Sequence, residues 1–188
     1  MKKPFRKFIV FPLTGILVAI LFTLASLVVV DLYLHHKFNK QGGYNAWGYR
    51  GPIAGKKKKG EKRIVVLGGS TAFGYGLKPY FTFPAYLDRK LNAIRKKRGK
   101  PPISVVNLAW NEESAYASLP TLEDYESLDY DIVILYSGYN DLGGHIKKVF
   151  RRGSVIFRTT GYLPIFPIIF REKAFLLAYG NVDAGYDT

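Results

Sequence analysis

Arg63-Ile64-Val65-Val66-Leu67-Gly68-Gly69-Ser70-Thr71 is the stretch on which the fold turns. Ile64 to Leu67 is an unbroken apolar run, the pattern of a short strand buried on both faces. It runs straight into two glycines and a hydroxyl, which predicts a sharp turn toward a helix or loop. Two further runs repeat the pattern. Ile103 to Leu108 reads as a second strand. Asp131 to Tyr136, with Ile132-Val133-Ile134-Leu135, reads as a third and leads into Gly138-Tyr139-Asn140-Asp141. Between the first two, Thr82 can cap a helix running to about Arg98. Phe83, Leu87, Leu91 and Ile94 recur at helical spacing, and Pro84 suits its first turn. Ser114 to Leu128 is expected to be helical with a break or kink at Pro120. Strand, helix, strand, helix, strand with near-continuous apolar strands predicts a parallel α/β sheet covered on both faces, with right-handed crossovers. Ligands then bind at the carboxyl ends of the strands. The loops after residues 67, 108 and 136 all lie at that edge, which gathers Ser70, the Asn111 region and Asn140.

Working outward, the N-terminus has a different character. Phe8 to Val30 contains no charged side chain. At about 1.5 Å per residue it can cross a hydrocarbon core of roughly 30 Å. Pro12 and Gly15 are tolerated in such a helix. Lys2, Lys3, Arg6 and Lys7 precede it, so the positive-inside rule places residues 1–7 in the cytoplasm and the remainder outside. A cleaved signal peptide is the rival reading, but Leu24-Ala25-Ser26 sits inside the apolar run rather than at its end. The expected organisation is a basic N-terminus (1–7), a transmembrane signal-anchor (8–30), a basic Gly/Lys-rich tether (31–63) and an α/β domain from residue 64 to 188.

The chain has 188 residues, 28 Lys and Arg against 14 Asp and Glu, a net charge of +14 and no cysteine. A disulfide scaffold and a Cys-ligated metal site are thereby excluded. With 48% hydrophobic residues it has too much apolar surface for a disordered chain. The positive charge is clustered. Lys56 to Lys59, with Lys62 and Arg63, precede the first strand, as a solvated linker or as an attraction for anionic lipid head groups. Arg95 to Arg98 and Lys100 end a helix, where cations belong. No aromatic or groove-reading motif accompanies either cluster, so nucleic acid is not an expected partner.

The chemistry centres on Ser70. A phosphate loop fails, because Tyr75 stands where the lysine must be. A dinucleotide fingerprint fails too, because Gly74-Tyr75-Gly76 is followed by Leu77-Lys78-Pro79. A nucleophilic serine fits: the glycines permit the turn, and a following helical turn leaves the Ser70 N–H free for an oxyanion. A serine capping a tight turn fits the same tetrapeptide. Asn140 could aim an N–H donor at the same oxygen, although Gly, Asn and Asp are also turn residues.

These segments, in this order, resemble the SGNH hydrolases, also known as GDSL-type esterases and lipases. The resemblance covers roughly Gly48 to Tyr179. Residues 63–71 look like the first block, with Gly69 in place of the Asp of G-D-S. Val105-Val106-Asn107-Leu108-Ala109 looks like the approach to the second, and Gly138-Tyr139-Asn140-Asp141 matches the G-x-N-D of the third. The resemblance implies a three-layer α/β/α flavodoxin-like fold with Ser70 as nucleophile and Asn140 as side-chain oxyanion donor. It implies no cofactor and no metal, and an ester substrate, glycan- or lipid-linked, beside the bilayer. Acyl transfer uses the same parts. The second block normally contributes a glycine N–H. Here the stretch is Trp110-Asn111-Glu112-Glu113-Ser114-Ala115, so that donor falls to Glu112 or to Ser114.

The family's base lies in a D-x-x-H block that this sequence lacks. Its histidines are His35, His36 and His145. His145, four residues after Asp141, reads as a loop residue, with a base role geometrically conceivable. Three strands are also fewer than the family's usual five. The expectation is an incomplete fold, an N-terminal portion weak or inactive by itself. A non-catalytic, membrane-tethered scaffold of the same fold is the alternative. Gly161 to Phe170 is too short and proline-rich to span a bilayer. It reads as a core segment or as a greasy rim touching acyl chains or membrane.

Overall fold

The computed structural model describes residues 3–40, 43–143, 152 and 154–180. Helix α1 (Lys3–Lys40) includes a segment, Val10–Phe38, long and apolar enough to cross a membrane. Its side chains from Val10 to Val30 are exposed, Phe11 at 69% and Phe22 at 75%. The hydroxyls of Thr14, Thr23 and Ser26 donate to carbonyls one turn back, which suits apolar surroundings. The helix does not end with the apolar run. Where a tether is expected, residues 31–40 continue as helix, and Asp31 and His35 are buried. Their i, i+4 spacing puts them on one face, and that face meets the domain.

The sheet is parallel throughout. Strands β1 (Lys62–Gly68), β2 (Ile103–Asn107) and β3 (Ile132–Tyr136) lie in the order β2-β1-β3. Val65 pairs with Val106 on one side and Val133 on the other. Alternate residues of β1 serve opposite faces. Val65 and Leu67 join a cluster with Tyr49, Val106, Leu108 and Tyr125, while Val66 packs with Ala72, Phe73 and Ala109. The α/β class expected from the sequence is the one observed, as a small sheet of three strands among the described residues. β3 departs from the expected burial: Ile132, Val133, Leu135 and Tyr136 are all more than 40% exposed.

Helix α3 (Phe83–Lys97) follows Thr82, whose hydroxyl does not cap it but donates to the Pro79 carbonyl at 2.9 Å. Polar groups on α3 satisfy the outer edge of β2. Asp88 Oδ1 accepts from Val105 N, and Asn92 both accepts from Ile103 N and donates to Ile103 O, each within 2.9 Å. An edge strand is thereby closed by side chains rather than by another strand. The segment expected to be one kinked helix is shorter and differently divided. A 3-10 turn (Ala115–Ala117) leads into α4 (Ser118–Asp124), and a second 3-10 turn (Glu126–Leu128) follows. Pro120 sits in the first turn of α4, where no intrahelical N–H is needed, so it does not kink the helix.

The chain continues through α5 (Val155–Thr160) and α6 (Phe166–Tyr179). Gly161 has φ +74°, and a Cβ there would lie 2.3 Å from the Trp47 ring, so only glycine fits. The greasy stretch that follows is divided: Leu163 and Ile165 enter the core, whereas Phe170 is 68% exposed. The first basic cluster is not a uniform solvated patch. Arg63 is buried, donating to Leu128 O, Ser104 and Glu61. Lys57 and Lys62 both pair with Asp131. These residues line a cleft at the amino-terminal edge of the sheet, opposite to Ser70.

Candidate active site

The first loop is shaped by close contacts. Gly68 has φ +147°, and a Cβ there would fall 2.0 Å from the Tyr136 carbonyl, so no side chain fits between β1 and β3. Gly69 is extended, and its carbonyl accepts the Phe73 N–H at 2.9 Å. Ser70 opens the four-residue helix α2 (Ser70–Phe73) and is half-buried. The capping position belongs to Gly69, and no side chain caps the turn, so Ser70 is not the capping serine that its tetrapeptide also allowed. An N–H in the first turn of a helix has no intrahelical acceptor, which leaves that of Ser70 without one.

The third loop lies directly against the first. A Cβ on Gly69 would be 2.4 Å from Asn140 Nδ2. Asn140 begins a 3-10 turn (Asn140–Gly143), and its amide donates to the Glu113 carbonyl at 2.8 Å. Asp141 ties the second and third loops together: its two oxygens accept from Ala115 N at 3.0 and 3.1 Å, and Ser137 Oγ donates to it at 3.2 Å. The loops after β1, β2 and β3 thus converge where Gly69, Glu113 and Asn140 meet. An asparagine amide carries two N–H donors, so one remains beyond the bond to Glu113.

The chain matches no family model, no curated protein and no solved structure.

The two candidates in the second loop differ in conformation. Glu112 has φ +64°, a left-handed conformation that glycine adopts most readily, and its side chain is exposed. Ser114 is buried and extended, at the start of the 3-10 turn. Between them, Glu113 turns its carboxylate inward. Its Oε1 lies 3.5 Å from Arg152 Nη2, and both side chains are buried. Burial pushes the Glu113 carboxyl up to about 7, although Arg152 pulls the other way. Arg152 also donates to Thr121 and stands 4.7 Å over the Trp110 ring. Trp110 in turn stacks on Tyr44 at 3.6 Å. This ion pair is the floor of the second loop.

Arg50 plays the corresponding part for the first loop. It is buried, lies 4.1 Å over the Phe73 ring, and donates to the carbonyls of Gly74 and Leu77. Burial lowers its pKa. Sequence reasoning missed Arg50, Glu113 and Arg152 in these roles. Arg152 is 39 residues from Glu113 and inside a basic stretch, so no local pattern marks the pair.

His35 is committed elsewhere, with Nε2 2.7 Å from the Leu163 carbonyl and 3.5 Å from Asp31. His36 is an exposed residue of α1, and His145 lies outside the described residues. Among the described residues, no group of three His, Cys, Asp or Glu is placed to hold a metal.

Proposed function

We propose that this chain is the membrane-anchored, nucleophile-bearing part of a serine ester hydrolase of SGNH type. The observation that carries the reading is the meeting of Gly69 and Asn140. It sets an amide donor against the residue preceding a half-buried serine, at the carboxyl edge of a parallel sheet. The left-handed backbone of Glu112 supports it further, since that is a conformation suited to the glycine the family has in its second block.

In this proposal Ser70 Oγ attacks the ester carbonyl and loses its proton to a base. The carbonyl oxygen gains the negative charge. It is held by the Ser70 N–H, an N–H of Glu112 or Ser114, and the second amide hydrogen of Asn140. Collapse expels the alcohol and leaves the acyl group on Ser70, and water releases it. The base is the D-x-x-H histidine, which these 188 residues do not carry. Without it the hydroxyl keeps a high pKa, so the chain alone is a poor nucleophile. The substrate is a glycan- or lipid-linked ester on the extracytoplasmic side, and an acyl acceptor other than water makes the same site a transferase.

A fluorophosphonate probe tests the reading on the full-length gene product. Labelling at Ser70 that is abolished by Ser70→Ala supports it. A folded full-length protein that takes no label overturns it. One observation favours the non-catalytic alternative: Asn140 already bonds to Glu113 O, a purely structural use of its amide. In that case Asn140→Ala lowers stability and no probe reacts.

A further inference from the structure

Helix α1 is joined to the start of α6 just beyond its uncharged run. Phe8 to Val30 spans about 34 Å as a helix, close to the thickness of a hydrocarbon core. With Phe8 to Val30 placed in the hydrocarbon layer, Asp31 is the first residue at the head-group level. Its carboxylate accepts from the Phe166 N–H at 2.5 Å and from the Tyr162 hydroxyl. One turn further out, His35 meets the Leu163 carbonyl, and its ring packs edge-on against Tyr162 at 5.3 Å. The first residue of α6 is thus bonded to the residue at which α1 leaves the apolar layer.

From that point α6 has two faces. Ile168 and Ile169, after the buried Ile165, pack against the domain core, as does Leu34 of α1. Leu176 and Tyr179 fall on that same side further along the helix and are 52% and 51% exposed; on the opposite side Phe170 is 68% exposed and Leu177 89%. Exposed Lys173 lies among them. A helix with one face on its own domain and Phe170 and Leu177 exposed on the other, joined at its start to the membrane anchor, can set those two side chains against the bilayer surface.

We propose that α6 lies in the membrane interface beside α1, with Phe170 and Leu177 inserted at the boundary between head groups and acyl chains. The inference does not depend on the hydrolase chemistry. It gives the domain a second contact with the bilayer, continuous with the anchor, and so holds the domain in one orientation to the membrane surface.

The chain has no cysteine, so single cysteines can be placed without background. Nitroxide labels at Phe170→Cys and Leu177→Cys are compared in the full chain in phosphatidylcholine/phosphatidylglycerol vesicles. Leu21→Cys in the anchor is the lipid reference, and exposed Lys97→Cys the water reference. The readout is collision with oxygen, which partitions into lipid, against collision with a water-soluble nickel chelate. Both α6 positions should show an oxygen-to-nickel ratio several-fold above that of Lys97→Cys, on the side of Leu21→Cys. A ratio equal to that of Lys97→Cys at either position overturns the proposal, because the helix then leaves the interface. Low collision with both reagents also overturns it, because a second copy or another protein segment then covers the face.

Discussion

At the scale of single residues, two backbone positions decide what the candidate site can do. At Gly69 the space a Cβ needs is filled by the Asn140 amide, at 2.4 Å, and bordered by the Glu113 carbonyl, at 3.1 Å. That amide is the end of a side chain, and the Glu113 carbonyl need yield by only a few tenths of an ångström, so Gly69→Ala should move Asn140 rather than unfold the loop. The expected outcome is a stability loss of no more than about 1–2 kcal/mol, within the usual range for a single substitution. If Asn140 is the oxyanion donor proposed above, probe labelling of Ser70 should fall with it, because that donor has been displaced. Denaturant titration and labelling rate, measured on the same variant, separate the two effects. Glu112 is the converse case. A side chain occupies a left-handed conformation, which costs roughly 1–2 kcal/mol relative to glycine. Glu112→Gly should raise the melting temperature by relieving it, offset in part by the greater freedom of glycine in the unfolded chain. A variant that melts lower than the parent would show that the exposed carboxylate stabilises the loop.

At the scale of elements, what was legible in the sequence depended on whether the signal was local. β1, β2 and β3 stand within a residue or two of their apolar runs, because a short continuous apolar run bounded by turn residues is a local signal of a strand. The placement of Ser70 and Asn140 at one edge was legible for a related reason: each lies in a loop that follows a strand, and parallel topology puts all strand ends at one edge. The continuation of α1 was not read, although the Asp31–His35 spacing would have allowed it. Glycine and lysine further along made the whole of residues 31–63 resemble a linker, while the partners of Asp31 and His35 lie more than a hundred residues away. Composition also predicted burial for β3, and there the structure differs. Two neighbouring strands flank β1, whereas β3 has one neighbour and exposed faces among the described residues. Amide hydrogen exchange should therefore rank the strands. β1 should be slowest, β2 intermediate because Asp88 and Asn92 occupy its outer amides, and β3 fastest. Equal protection of β1 and β3 in the isolated chain would mean that β3 is covered in solution.

At the scale of the whole molecule, two carboxylates give stability opposite dependences on pH. Asp131 is bonded by Lys62, by the Arg63 N–H and by Lys57, which hold its carboxyl well below the usual range. Its contribution is complete above about pH 4 and is lost as the pH falls further, because the unfolded state then binds the proton first. Glu113 behaves the other way. Burial raises it to about 7 in the folded chain, so the folded state holds the proton more tightly than the unfolded state. Its contribution is therefore most favourable below about pH 4 and declines as the pH rises toward and through 7. Partial repayment by Arg152 is already included in that value. A displacement of that size corresponds to roughly 3 kcal/mol between the two limits. Glu113→Gln removes the titrating group but also removes the carboxylate facing the buried Arg152, so the variant starts from a lower stability. The diagnostic quantity is thus the difference between variant and parent, followed by thermal melts between pH 5 and 8. That difference should shift in favour of the variant as the pH rises, whatever its offset at pH 5. A constant difference would mean that Glu113 is ionised throughout, and that Arg152 outweighs the burial of the carboxylate.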